Sequence, residues 1–249
     1  MARIEKNAGL EEKLNEVKQD VKEVKKVSTG RKPWFFCAMF LLLVAVVVLF
    51  MFTWTVAATG LVNIPVFTSL AYDAPQPLHT VTPGVPVETV LEEKIISTIT
   101  QRLYEGGGDI VDQRIQATIT EESLTASLRS IVEDSGVDWF GTSRLQVAID
   151  PKVGVEVYCP IANNNLQTAM VGQFLLDAKD GSLTVSPMTI SLGSWDIPGF
   201  LIASFLRPIL ENELAKVNNV MVGYAKISSI TIGSGEMELY GEMTVSIEK

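Results

Sequence analysis

The sequence predicts an α+β fold: a curved antiparallel sheet packed on a long helix, preceded by one transmembrane helix and a short cytoplasmic helix. Three observations support this fold class. An apolar run near the start of the chain is long enough to cross a bilayer. Pairs of alternating segments follow, each pair separated by a turn signal, as in β-hairpins. Before the last pair lies a helical segment that is apolar on nearly all sides.

Residues 1–30 predict a cytoplasmic amphipathic or coiled-coil helix. Five apolar residues recur at alternating spacings of four and three, the a/d pattern of a coiled coil. These residues are Leu10, Leu14, Val17, Val21 and Val24. Little more than two heptads is marginally stable in water, although a shared membrane anchor raises the local concentration. The pattern indicates either a homo-oligomer joined through these residues or a solvated helix on the inner leaflet.

Residues 34–58 predict a transmembrane helix. No Asp, Glu, Lys or Arg occurs between residues 33 and 72. A helix of this length would span about 38 Å, which exceeds the bilayer's hydrocarbon thickness of about 30 Å. Arg31 and Lys32 precede the run, and the next cation is Lys94. The positive-inside rule therefore predicts a plasma-membrane protein with a cytoplasmic N-terminus and an extracytoplasmic C-terminal domain.

A cleaved signal peptide is the competing interpretation of the apolar run. Small residues at 56–58 resemble a cleavage site. The 33 preceding residues and the length of the run exceed those of a normal signal peptide. The sequence favours an uncleaved signal-anchor.

Residues 59–86 predict a Pro-rich juxtamembrane linker. Four of its last twelve residues are proline, which excludes a regular helix and favours extended polyproline II conformation. Its apolar part, residues 61–72, is too short to span a membrane, so we expect it at the outer interface or packed on the domain. The whole stretch is interpreted as a stand-off, that is, a spacer that holds the domain away from the membrane.

Residues 87–249 predict an extracytoplasmic α+β domain with the element order helix, strand, helix, four strands, helix, two strands. Thr120 is the expected N-cap of the second helix. The apolar face of that helix is predicted to consist of Leu124, Leu128 and Ile131.

Two polar or aromatic segments of the domain have a structural and a functional interpretation. Residues 177–181 are interpreted as a hairpin turn and not a calcium loop, because they lack alternate acidic ligands and a distal Glu. Trp139 and Phe140 are interpreted as a plug in the core, with a stacking platform as the alternative.

The long helix is predicted from about residue 197 to residue 222, with a kink at Pro208. Its first half is apolar nearly all round, so it is either buried on all sides or exposed to lipid or an apolar ligand. Four residues are predicted to line a lipid groove on this helix. They are Phe200, Leu201, Phe205 and Leu206.

Composition and motifs exclude several functional classes. The net charge of −9 divides into +3 for residues 1–33 and −12 for the rest, and an acidic body disfavours nucleic acid. One His and two separated cysteines, Cys37 and Cys159, predict neither a disulfide nor a zinc site. The sequence has no nucleophile-elbow, Walker or dinucleotide-binding motif. We therefore expect no enzyme activity, no metal and no cofactor.

The segment Thr120-Glu-Glu-Ser-Leu124, the hairpins, and the junction Ile190-Ser-Leu-Gly-Ser-Trp-Asp-Ile-Pro198 before a helix and a closing hairpin resemble the YpmS-like membrane-anchored proteins of Gram-positive bacteria. More distantly, they resemble the LmeA-like lipid-binding envelope proteins of tubular half-barrel type. The resemblance covers about residues 87–249. It implies a curved antiparallel sheet around a long helix, with an apolar groove suited to acyl chains.

These features together predict a membrane-tethered extracytoplasmic protein of the cell envelope that binds lipid or another apolar ligand without catalysis. Its expected partners are the lipid bilayer, a lipid ligand and further copies of the chain. The alternative is a protein-interaction scaffold at the outer membrane surface, with a fully packed domain and coiled-coil oligomerisation. A deep apolar groove would distinguish the two.

Overall fold

The computed structural model describes residues 17–20, 22, 33–104, 110–208, 211 and 225–245. The chain forms two units, residues 1–52 and 53–249. Helix α1 (Pro33–Thr59) begins in the first unit and ends in the second. Within its stretch Phe35–Thr59 an 18-residue window has a mean hydropathy of 3.1, and the stretch is long and apolar enough to cross a membrane, as predicted.

The predicted oligomerisation seam lies almost wholly outside the described residues. Val17 belongs to a helical stretch and is exposed. The other four seam residues, Leu10, Leu14, Val21 and Val24, are outside the described part of the chain, so the coiled coil remains a prediction.

The described elements of the second unit follow the predicted order, with one short helix, one 3-10 turn (Thr142–Arg144) and one two-residue strand added. The helices are α2 (Phe67–Ala71), α3 (Val87–Tyr104), α4 (Glu121–Asp134) and the single turn α5 (Gly199–Leu201). The strands are β1 (Ile110–Thr120), β2 (Gln146–Asp150), β3 (Gly154–Pro160), β4 (Ala169–Lys179), β5 (Ser182–Leu192), β6 (Trp195–Asp196), β7 (Ala225–Ile232) and β8 (Glu236–Val245).

The described strands form two antiparallel sheets, with orders β1-β8-β7 and β2-β3-β4-β5-β6. The predicted α+β class and antiparallel pairing are confirmed. Asp180 and Gly181 join β4 to β5 with φ of 54° and 80°. A two-residue turn with both φ values positive matches the right-handed twist of the strands, which confirms the predicted hairpin turn.

The core lies where the two sheets meet beneath α4. It contains five buried apolar residues: Ile119, Val147, Ile149, Val155 and Met237. Three of these lie on β2 and β3, while the other two lie on β1 and β8. The core therefore joins both sheets.

Helix α4 covers this core, and Thr120 caps it by accepting a hydrogen bond from the Ser123 N–H at 3.3 Å, as predicted. Leu124 and Leu128 pack against the core. The prediction for Ile131 is wrong, because this side chain is exposed. Ile131 lies six residues from the fully buried Thr125, about 120° around the helix axis, since each residue advances about 100°.

A strap of residues 73–87 covers the outer face of β2 and β3. Both strands are buried on both faces, whereas the alternating sequence had predicted one exposed face. The N–H groups of Leu78, Val81, Gly84 and Val87 each donate to the domain. Their spacing of three matches the three residues per turn of polyproline II. The predicted stand-off is therefore wrong for this segment, because one face of the extended chain is bonded to the domain.

Three polar side chains of the domain hold the strap. Glu156, buried on β3, accepts from the Leu78 N–H at 2.7 Å, and Gln146 on β2 accepts from the Val81 N–H at 3.2 Å. His79 Nε2 lies 2.8 Å from both carboxylate oxygens of Glu121. Burial of these polar side chains is tolerated because each of them is hydrogen-bonded.

The predicted long helix is described only at its start. Helical residues run from Gly199 to Pro208, and Glu211 is also helical; residues 209, 210 and 212–222 of the predicted range lie outside the described residues. Residues 202–206 form one turn of π-helix directly before Arg207 and Pro208. Proline lacks the N–H that an α-helical turn requires, so a widened turn before it is an expected accommodation.

Trp139 is not a core plug, contrary to the favoured prediction. Its side chain is 62% exposed and stacks on Phe140 with ring centroids 4.3 Å apart. The Trp139 carbonyl accepts from the Ala162 N–H at 2.8 Å, and Phe140 pairs with Ile161. This pairing fixes the backbone at the edge of the sheet and leaves the indole outside the core.

Cys159 on β3 is a buried free thiol, and burial raises its pKa from 9.0 to about 11. The pKa of this thiol is higher in the folded chain than in the unfolded chain. Its contribution to the unfolding free energy is therefore fully present below pH 9 and is lost as the pH rises through about 11. The shift corresponds to about 2–3 kcal/mol. We expect the difference in unfolding free energy between the parent chain and Cys159→Ala to shrink by this amount over that pH range. A constant difference in urea titrations would contradict this expectation.

Candidate functional site

The last turn of α1 is built into the domain. Ala57, Ala58 and Thr59 are buried. The Ala58 carbonyl accepts from the Ser194 N–H at 2.9 Å, and the Thr59 carbonyl lies 3.2 Å from the hydroxyl of the fully buried Thr168. The last carbonyls of a helix have no partner within the helix. Here the domain supplies those partners for the last turn of α1, which belongs to the same unit.

Two glycines allow this close approach. Gly60 has a φ of 66°, and a Cβ there would lie 2.1 Å from the Tyr72 ring and 2.2 Å from Thr168 Oγ1. Gly193 has a φ of 61°, and a Cβ there would lie 2.4 Å from the Thr59 carbonyl oxygen. Both positions therefore require glycine for conformation and for space. We call this set, residues 57–60 with Tyr72, Thr168, Gly193 and Ser194, the junction.

A loop of residues 61–71 leaves the junction and returns to it at Tyr72. Thr68 is buried and closes the loop: its hydroxyl accepts from the Ile64 N–H at 2.8 Å, and its own N–H donates to the Ile64 carbonyl at 2.9 Å. The Tyr72 hydroxyl donates to the Leu166 carbonyl at 2.9 Å. Burial raises the pKa of Tyr72, so this phenol remains a donor at neutral pH. We call residues 61–71 the junction loop.

The outer side of the junction loop is apolar. Leu61, Val62, Val66 and Leu70 are 48%, 54%, 69% and 70% exposed. Val66 also has a φ of 73°, a left-handed conformation that is rare and strained for a β-branched residue. The backbone of the loop is therefore strained at a residue whose apolar side chain is exposed to solvent.

A cavity of about 340 Å³ lies beside the junction loop. It is lined by Leu61 and Asn63 of the loop and by residues 161–166, which connect β3 to β4. Asn164 fixes this connection: its amide donates to the Gly60 carbonyl at 3.0 Å, and its side-chain oxygen accepts from the Leu166 N–H at 2.7 Å. We call this cavity the asparagine cup.

The predicted lipid-groove residues lie elsewhere on the domain. Phe200 is 68% exposed and Leu201 is half-buried, while the next residue, Ile202, is buried. The side chains of Phe205 and Leu206 are outside the described part of the structure. Neither Phe200 nor Leu201 lines the asparagine cup, nor a second cavity of about 390 Å³ under the junction loop, nor a third of about 560 Å³ between α3 and β1.

The junction was not predicted from the sequence. Gly60, Thr168 and Gly193 lie far apart in the chain, so no local spacing connects them. The available signal was the apolar run at residues 61–72, with no charge and too short to span a membrane.

Within the described ranges, no three His, Cys, Asp or Glu residues cluster so as to hold a metal ion.

No family model matches the chain, and neither the curated proteins nor the solved structures include a significant match to it.

Proposed function

We propose that this chain is a single-pass membrane protein of the cell envelope whose extracytoplasmic domain binds lipid without catalysis. Arg31 and Lys32 precede the apolar helix, and the positive-inside rule supports a cytoplasmic N-terminus on this ground. The domain then follows on the outer side. In this proposal the lipid contact lies on the junction loop and not in the groove predicted at Phe200.

The exposed apolar side of the junction loop is the observation that carries this proposal. The loop begins two residues after the apolar helix ends, so its side chains are within reach of the lipid into which that helix would insert. Each exposed valine or leucine gains up to about 1.5–3 kcal/mol on complete burial in an apolar phase. In water the same four side chains would form an unfavourable cluster.

The construction of the loop also supports this proposal. Thr68 closes the loop internally through the Ile64 N–H, and Tyr72 ties its end to Thr168 of the domain, so the outer side chains are held without an additional ordering cost on binding. The strained Val66 contributes nothing to the core, because its side chain points into solvent in the protein alone. A ligand for this side explains why the strain is tolerated.

Lipid retention by loop variants tests the proposal. The double variant Val66→Gly and Leu70→Gln removes two exposed apolar side chains, and glycine relieves the positive φ at 66. We expect unchanged or slightly higher thermal stability and a several-fold loss of co-purifying lipid, measured by native mass spectrometry of the detergent-purified full chain.

The matched control is Val85→Gly with Leu175→Gln. Both side chains are about half exposed, and neither belongs to the junction loop. The control should keep its lipid. Equal lipid on the parent and both double variants would contradict the role of the loop.

The scaffold hypothesis remains the second candidate, and the exposed Trp139 favours it, since aromatic side chains concentrate at protein interfaces. A parent chain that carries no lipid would leave this hypothesis in front.

A further inference from the structure

We propose that the asparagine cup is a binding site for the uncharged, hydroxyl-rich headgroup of a glycolipid, with Trp139 as its stacking surface. This inference rests on the proposed function, because it names the class of lipid that the domain binds. Its observations are independent of the apolar side of the junction loop: the chemistry of the cup lining and the position of an exposed aromatic pair.

The lining of the cup selects for hydroxyl groups. Of the eight residues that line it, four are asparagine and none is ionisable. An amide both donates and accepts, so it pairs with a hydroxyl in either direction. Phosphate and carboxylate groups are instead recognised by Arg or Lys, which this lining lacks. The cup therefore suits a neutral sugar better than an anionic headgroup.

Three of these amides are available to a ligand. Asn63, Asn163 and Asn165 are exposed, and their side chains make no hydrogen bond to the described part of the chain. The fourth, Asn164, is used to hold the connection in place. Asn163 has a φ of 54°, a conformation that asparagine accepts readily. The free amides thus sit on a backbone that is already ordered before a ligand binds.

The backbone that carries an exposed aromatic pair lies next to this lining. The backbone of Trp139 and Phe140 is paired with Ala162 and Ile161, both of which line the cup. The indole is largely open to solvent, and its back is supported by the Phe140 ring. The C–H face of a sugar ring packs well on a flat aromatic surface, while its hydroxyls reach polar groups at the side. Amides beside a supported indole provide both contacts.

The size and place of the cup fit a headgroup more than an acyl chain. Its volume of about 340 Å³ is at the low end of ligand sites. Leu61 of the junction loop forms part of its wall, so a molecule in the cup lies beside the apolar side that contacts the bilayer. A lipid could therefore place its sugar in the cup while its chains remain in the membrane.

Competition among lipids of different headgroups tests this inference. The full chain in nanodiscs would be offered equal amounts of glucosyl diacylglycerol, phosphatidylglycerol and phosphatidylcholine, and bound lipid read by native mass spectrometry. We expect the glycolipid to be enriched by about tenfold, the factor that one or two added hydrogen bonds provide.

Two variants should each remove the enrichment. Asn163→Gly with Asn165→Ala deletes two free amides while keeping the positive φ, and Trp139→Leu removes the aromatic face. All three residues are exposed, so thermal stability should change little. Gln116→Ala, an exposed amide on β1, is the matched control and should keep the enrichment.

The remaining outcomes overturn the inference in distinguishable ways. Lipid that binds without headgroup preference, or with a preference that both variants keep, would overturn the cup and leave the proposed function intact. Free methyl glucoside that competes as well as the glycolipid would make this a soluble-sugar site. A parent chain that retains no lipid would overturn both the inference and the proposed function.

Discussion

Replacing Gly193 by alanine should lower the unfolding free energy by about 2–4 kcal/mol. About 1 kcal/mol comes from the left-handed backbone, and about 1–3 kcal/mol comes from forcing extra volume into a packed site. The new Cβ would meet the carbonyl oxygens of Thr59 at 2.4 Å and Ala58 at 2.7 Å. These are backbone atoms of a helix end, so no side chain can rotate away.

Gly136→Ala is the matched control for Gly193→Ala. Gly136 has a φ of 66°, close to that of Gly193, but nothing lies within 4 Å of the added Cβ. Gly136→Ala should therefore lower the unfolding free energy only by the backbone contribution of about 1 kcal/mol. For a chain of this length we expect melting temperatures about 5–12 °C lower for Gly193→Ala and about 2–4 °C lower for the control. Equal shifts would mean that the end of α1 is not packed against Gly193.

Aspartate substitutions along the start of the predicted long helix should change the unfolding free energy by very different amounts at neighbouring positions. Ile202→Asp places a carboxylate where the side chain is only 7% exposed, and an unpaired buried charge costs several kcal/mol. That is a large part of a total stability of about 5–15 kcal/mol. Phe200→Asp, two residues earlier, should stay within about 0.5 kcal/mol because Phe200 is mostly exposed.

The same scan tests the original lipid-groove prediction. Under that prediction, Phe200→Asp abolishes lipid co-purification and leaves stability unchanged. If the junction loop is the lipid contact, Phe200→Asp keeps its lipid. Leu201→Asp, Phe205→Asp and Leu206→Asp would complete the scan, and melting temperature and bound lipid should be followed together.

Local signals in the sequence predicted the hairpins well. The Asp180-Gly181 turn needs two positive φ values, and aspartate and glycine tolerate them, so the sequence itself determines the turn. Thr120 caps α4 for a similarly local reason, because its hydroxyl reaches an N–H three residues ahead.

Long-range pairings could not be predicted in this way. The strap was interpreted as a stand-off because its prolines exclude a helix, but its partners Gln146 and Glu156 lie on strands far along the chain. Glu156 looks like a solvent-facing residue of an alternating strand until the strap covers it. Trp139 was predicted to be buried from its size, whereas the backbone pairing of its neighbour Phe140 holds it outside.

The candidate site was missed for the same reason. Gly60, Thr168 and Gly193 acquire meaning only when the end of α1 meets the β3–β4 connection and the β5–β6 turn. The apolar residues at 61–70 were visible in the sequence, and two locations were expected for them, the outer interface or the surface of the domain. In the structure Thr68 is buried, while Val66 and Leu70 are exposed.

Photo-crosslinking from position 66 in native membranes tests the central claim most directly. A photoreactive side chain would replace Val66 in the full chain, with Leu175 as the control position. Leu175 is also exposed but lies six residues along β4 from the buried Ala169 beside the junction, which corresponds to about 20 Å. We predict lipid adducts from position 66 and few or none from position 175. Equal lipid labelling at both positions, or no lipid adduct at position 66, would contradict a lipid-contacting junction loop.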